Sequence, residues 1–298
     1  MRFGLCCLFV AEEISFRTTT AKVLSGMERG QALAKVSDIC LHNAENLFLA
    51  VQAVHRLGIG AFRITSPLFP RMTHPEVGYA LNDLPQAEAI ASRMDAAGTF
   101  ALAQGIRLSF HPDQFVVLSS PHDQVLESSV RELNYHALLA DMVGADVINV
   151  HAGGVYGDKK AALGRFAEAF KRLPENVATR LSVENDDVNY TVTDLLPLCA
   201  HLGLPLVYDV HHHRCNPDGL DECEATDLAA ATWRGREPWC HISSPREGWN
   251  ANPKPHADYI DPADVPQCWH GRAMTVDVEA KAKELAVVGL MRDLGAER

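Results

Sequence analysis

The chain has 298 residues, 47% of them hydrophobic and 22% charged, which allows a large buried core and excludes intrinsic disorder. A formal net charge of −11 excludes nucleic-acid binding through bulk positive charge, so contact with phosphates would need a local basic groove or bound cations. No apolar run reaches the roughly 20 residues needed to span a bilayer.

Residues 3–9 read as a buried first strand. The stretch faintly resembles a secretory signal, but it lacks a small-residue cleavage site and runs into Glu12-Glu13. Strands follow over 61–65, 106–110, 147–150, 181–183, 206–208, 240–242 and 273–276. Helical stretches lie over 84–104, 123–143, 159–173, 192–202 and 279–290. Gly58, Gly105, Gly144 and Gly203 each stand just before a strand and read as helix-ending glycines. Eight β-then-α units predict an α/β fold: a single (β/α)8 TIM barrel over residues 1–298, with its site at the C-terminal ends of the strands. An open doubly wound sheet is the alternative. It would carry a G-x-G-x-x-G loop after the first strand, and that motif is absent. Residues 243–265, rich in Pro, Asn and charge, read as a long loop over the barrel mouth. None of the 8 cysteines forms a C-x-x-C pair. Scattered thiols in a chain this long predict a reducing, cytoplasmic setting, and the protein is expected to be a monomer away from membranes.

The predicted strand ends carry one kind of chemistry. The third runs into Ser109-Phe110-His111-Pro112-Asp113-Gln114, the fourth into Asn149-Val150-His151-Ala152-Gly153-Gly154 and the fifth into Ser182-Val183-Glu184-Asn185-Asp186-Asp187. The sixth runs into Tyr208-Asp209-Val210-His211-His212-His213, the seventh into His241-Ile242-Ser243-Ser244 and the eighth into Asp277-Val278-Glu279. A barrel brings these ends around one axis. Imidazoles and carboxylates converging there make a divalent-metal site of the zinc, manganese or iron type. Carboxylates so close repel one another, and cations between them relieve the repulsion. Two or three metals are therefore expected, with Glu184 central enough to bridge a pair. Asp186, Asp187, His211 and His213 read instead as solvated loop residues. Gly153-Gly154 serves either a tight turn or a close approach to a phosphate. G-x-S-x-G, the P-loop and H-E-x-x-H are absent, which favours metal-activated water over a Ser or Cys nucleophile.

With Phe62-Arg63-Ile64-Thr65-Ser66, Leu68-Phe69-Pro70, His42-Asn43-Ala44-Glu45-Asn46-Leu47, His256-Ala257-Asp258-Tyr259 and Glu279-Ala280-Lys281-Ala282-Lys283-Glu284 added, the collinear set resembles the UV damage endonucleases. The resemblance implies a TIM barrel related to endonuclease IV. It also implies up to three divalent metals, manganese above all, and hydrolysis of the phosphodiester 5′ to a damaged nucleotide in double-stranded DNA. By motif, His111, His151 and Glu184 would hold one metal; Glu184, Asp209, His241 and Glu279 a second; His212 and His256 a third. Glu184, His74 and His241 would be catalytic, His74 without being a ligand. Leu5, Gln114, Phe115, Arg63 and Lys254 would meet substrate, with Arg71 and Arg246 in the same basic groove. Three positions depart from the family: Leu5 and Phe115 replace tyrosines that probe the lesion, and Trp239 replaces a lysine that can be modified near the metals. With the net charge of −11, these departures leave an alternative open: a metal-dependent isomerase, hydrolase or oxidase on the same barrel, acting on a small molecule or peptide.

Overall fold

The computed structural model describes residues 1–296. Eight parallel strands close in chain order into a barrel: β1 Arg2–Cys6, β2 Ala61–Ile64, β3 Arg107–Phe110, β4 Val147–His151, β5 Leu181–Glu184, β6 Leu206–Asp209, β7 Trp239–Ile242 and β8 Thr275–Val278. This is the predicted TIM barrel. Helices Arg29–Arg56, Ala87–Ala103, Asp123–Val143, Lys159–Phe170, Val192–Leu202, Glu222–Ala231 and Glu284–Asp293 follow every strand except β7, which leads through the short 3-10 turns Pro262–Asp264 and Gln267–Trp269 to β8. Among the described residues no helix is long and apolar enough to cross a membrane.

Successive strand side chains point to opposite faces, and this sorts the core into two parts. Phe62, Phe110, Ile148, Val183, Tyr208, Cys240 and Val276 point out to the helices and join the main apolar cluster. Ala61, Val147, Val207 and Trp239 point to the axis, where with Trp233 they form a separate apolar cluster. That cluster is the floor of the barrel. Residues two positions further along the same strands, Arg63, Asn149, Asp209 and His241, share its face and stand nearer the mouth. The helices ahead of β4 and β6 end as expected, on Gly144 and Gly203, both at φ +70. In each case the left-handed glycine N–H reaches back to the last turn.

Three differences from the sequence-based expectations have physical causes. β8 was expected over 273–276 but lies over Thr275–Val278, because its Asp277 is a buried carboxylate facing the axis, which a pattern of apolar runs does not place in a strand. The final helix begins at Glu284 rather than at 279, after Lys283 breaks the path at φ 50. Cys223 and Cys268 form a disulfide with Cα atoms 5.8 Å apart. This departs from the expected scatter of thiols, since the fold joins two cysteines that no short motif relates. The other six are free.

The His42–Leu47 segment lies within the long helix Arg29–Arg56 and ties down the loop after β1. Asn43 Oδ1 accepts from the Arg17 backbone N–H at 2.7 Å, and its Nδ2 donates to the carbonyls of Arg17 and Leu68 at 2.9 and 2.8 Å. Asn46 Oδ1 accepts from Ser15 N at 3.1 Å. Replacing buried Asn43 by alanine leaves these backbone groups unpaired. Asn43→Ala is expected to lower stability by about 1–3 kcal/mol, read as a lower denaturant midpoint at unchanged slope.

Candidate metal centre

The strand ends converge as their register requires. His151 lies beside Glu184, Asp209 beside His241, and His241 beside Asp277. Glu184, 1% exposed, sits at the middle. Its Oε2 is 3.0 Å from His111 Nε2, and its Oε1 is 3.1 Å from His241 Nδ1 and 3.3 Å from His212 Nδ1. Asn149 Nδ2 donates to Oε2, and Ser182 Oγ holds Asn149 Oδ1 at 3.0 Å.

His111, His151 and Glu184 form one set whose ligand atoms lie within 4.8 Å of one another; Glu184, Asp209 and His212 form a second. Glu184 belongs to both. Glu279 continues the cluster, 3.5 Å from His241 Nδ1 and 3.7 Å from His256 Nδ1. His256 comes from the loop after β7, where an antiparallel bridge pairs it with Pro245.

Within these two sets, His151 Nδ1 and Asp209 Oδ2 are buried without a hydrogen-bond partner among the described residues. Such atoms are costly unless something polar or charged completes them. Imidazole nitrogens and carboxylate oxygens are the donors that manganese, zinc or iron accept, so the residues present fit divalent cations.

The protonation pattern follows from burial and neighbours. Burial opposes charge on Glu184, but the facing histidines, His241 first, outweigh it and hold the carboxyl well below its usual range. Burial likewise opposes the imidazolium of His241, and the facing carboxylates, Glu184 first and then Glu279, together outweigh that, holding His241 up at about 9. Against the same penalty, Asp209 and Glu184 raise His212. Burial lowers His151 and raises Asp277.

Some predicted site residues lie elsewhere. Leu5 is 0% exposed and packed in the core, so it is not placed to wedge into a duplex, because β1 turns it toward the helices. Arg63 is no groove cation: it faces the axis and pairs with Glu279 at 2.6 Å. Phe115 is 76% exposed and Gln114 is also exposed. Lys254 pairs with Asp187 at 3.0 Å, and Arg246 with Glu247 at 3.0 Å. His74 stands apart from the ligand cluster and lines a neighbouring cleft of about 510 Å³ with Arg71 and Phe115. His74 Nδ1 accepts from the N–H of Glu76 and Val77 at 3.2 and 3.4 Å, which leaves its proton on Nε2 when neutral. Trp239 is buried in the floor beneath the Arg107 guanidinium, 4.6 Å from the ring centre.

His211 and His213 are buried rather than solvated. They lie on the helical turn Val210–Cys215, which Asp209 caps by accepting from His212 N at 2.8 Å. His213 is satisfied by the Tyr208 hydroxyl at 2.6 Å and by Asp218. Asp186 is a turn former, accepting from Val188 N at 2.9 Å. Asn149, Asn185 and Asp277 belong to the site and were not singled out from the sequence. The usable signal was strand alternation, since Asn149 and Asp277 stand two residues before His151 and Glu279.

The sequence profile of UV-endonuclease UvdE matches residues 1–298. A UV DNA damage endonuclease of Bacillus velezensis is 34% identical over 286 residues, spanning 92% of this chain and 86% of its own. A UV-damage endonuclease of Schizosaccharomyces pombe is 33% identical, spanning 98% of this chain and 50% of its own. The solved structure of SacUVDE superposes with a TM-score of 0.87 at 28% identity, over 99% of both chains. Endonuclease IV from Thermus thermophilus gives 0.64 at 17% identity, over 99% of this chain and 98% of that one, a likeness of fold alone.

A raised imidazole fixes the sign of a pH effect. Unfolded His241 titrates near 6.5 and folded His241 near 9, so its contribution is fully present below 6.5 and lost as pH rises through 9. The metal-free protein is expected to lose stability across that interval, and His241→Gln to flatten the loss. Denaturant midpoints at fixed ionic strength test this; equal slopes in both proteins would contradict it.

Proposed function

The chain belongs to the UV-endonuclease UvdE family, and from that premise we propose that it hydrolyses the phosphodiester immediately 5′ to UV-type lesions in double-stranded DNA, with two or three divalent cations, manganese foremost. The observation that carries the reading is the sharing of Glu184 between two ligand sets on neighbouring strands. Cations held by His111, His151, Glu184, Asp209, His212, His241, His256 and Glu279 would activate a water and offset charge building on the phosphate.

The chain's own residues divide the remaining work. Glu184 holds the two ligand sets in one geometry through its two oxygens. Arg63 helps keep Glu279 ionised and fixed, because burial penalises that carboxyl and the guanidinium, with His241 and His256, outweighs the penalty. His74 offers its Nε2 proton to the cleft beside the centre, where a backbone phosphate oxygen can accept it. Phe115, exposed at the rim, offers a face on which an unstacked base can rest, and Gln114 beside it offers hydrogen bonds. Arg71, Arg246 and Lys254 are the exposed cations available to the DNA backbone, a local answer to the net charge of −11.

Manganese-loaded protein is expected to nick UV-irradiated supercoiled plasmid and spare unirradiated plasmid, with Glu184→Ala at least about 100-fold slower. Irradiated plasmid left intact under manganese, zinc and iron would transfer the case to a small-molecule substrate. Phe115→Ala is expected to weaken binding to a lesion-bearing duplex by about 1–3 kcal/mol while leaving metal content unchanged. A titration of labelled duplex measures the first effect and elemental analysis the second.

A further inference from the structure

Asp277 is a buried carboxylate that the proposed chemistry does not use. It is 1% exposed, and neither of its oxygens has a hydrogen-bond partner among the described residues. An ionised carboxyl in that position costs several kcal/mol unless a partner offsets it, so its retention in the barrel needs a physical reason. Arg63, whose charge also acts on Asp277, is paired through Nη1 with Glu279 at 2.6 Å.

The register shows what Asp277 faces. On β8 it is aligned with His241 on one side and with Gly4 on the other. Gly4 is what makes the room, because a Cβ there would collide with Asp277 Oδ1. On the other side, Asp277 Oδ2 lies 3.7 Å from His241 Nε2. The opposite nitrogen, His241 Nδ1, turns up into the hollow, 3.1 Å from Glu184 Oε1 and 3.5 Å from Glu279 Oε1. The imidazole therefore stands between two environments, the metal hollow above and one carboxylate below.

We propose that Asp277 is the positioning residue of His241: its carboxylate accepts the Nε2 proton, which leaves the Nδ1 lone pair aimed at the metal hollow. An ionised carboxylate is an acceptor only, so with Asp277 in that form the nitrogen facing it carries the hydrogen. The other nitrogen is then the free ligand. A metal-bound histidine ordinarily has its second nitrogen held by such an acceptor, which fixes both tautomer and ring plane. The 3.7 Å separation closes to hydrogen-bond distance by a small rotation of either side chain. The proposal rests on reading His241 as a ligand.

The test uses the full chain with Asp277→Asn and Asp277→Ala. Asparagine keeps an acceptor oxygen in the same place, whereas alanine removes it and fits the space. Manganese affinity is expected to fall about 10–100-fold in Asp277→Ala and to be largely restored in Asp277→Asn, with both variants folded by circular dichroism. In zinc-loaded wild-type protein with 15N-labelled histidines, the His241 resonance, assigned by its loss in His241→Gln, is expected to show a proton on Nε2 and metal on Nδ1. A His241 bound through Nε2 overturns the proposal and needs no Asp277 variant. So does unchanged affinity in Asp277→Ala, or an equal loss in both variants, which would mark a role in charge balance. Wild-type protein that binds no manganese overturns this inference and the metal-dependent reading together. Binding through His241 that ignores Asp277 overturns this inference alone.

Discussion

A buried carboxylate among imidazoles sets the terms for the rest of the structure. Glu184 is 1% exposed and has His111, His212 and His241 within 3.3 Å. Removing an ionised carboxyl from water costs several kcal/mol unless opposite charge accompanies it. Without metal, protons on His212 and His241 provide that charge, and both groups are accordingly raised. With metal, cations would provide it and the protons would leave. The barrel mouth is therefore an electrostatic alternative between protons and cations, and metal affinity should follow pH in the same sense.

The cluster depends on side chains that touch no cation site directly. Asn149 donates to Glu184 and is itself held by Ser182. Asn185 clamps Asp209 through that residue's backbone N–H and carbonyl at 2.9 and 2.8 Å. Arg63 fixes Glu279. Below them Trp239 closes the axis with apolar surface, its ring covered by Arg107. The charged layer thus stands above an apolar cluster, and low local dielectric strengthens the interactions above it.

Several of the cations expected around this hollow are already paired. Arg63, which might have contributed, is spent inward on Glu279, and Lys254 and Arg246 are partly neutralised by Asp187 and Glu247. What the rim presents instead is an exposed aromatic ring, Phe115, next to the cleft lined by His74 and Arg71. In the proposed reading, recognition leans on stacking and on cations in the hollow more than on a wide basic face.

The sequence by itself determined the barrel and the chemical class of its mouth. Alternating apolar strands, glycine-ended helices and polar residues at successive strand ends are local signals, and each follows from backbone geometry over a few residues. All eight strands were legible on that basis, because a parallel barrel sends every strand's C-terminal end to the same place; of the two sets, His111, His151 and Glu184 group as expected, whereas the structure sets His212 beside Glu184 and Asp209 where His241 and Glu279 were expected. The tertiary structure decided what depends on neighbours distant in sequence. Leu5 and Arg63 both left the substrate-facing settings expected of them, one turned outward into the core and the other inward onto Glu279, because strand phase decides the face a side chain takes. His211 and His213 were buried by a helical turn that their polar run concealed. Asp277 interrupts the apolar pattern of β8, and its place is intelligible only beside Gly4 and His241, from strands at opposite ends of the chain and one strand before it. Periodicity reports the face and the element; only closure of the barrel reports which charge meets which.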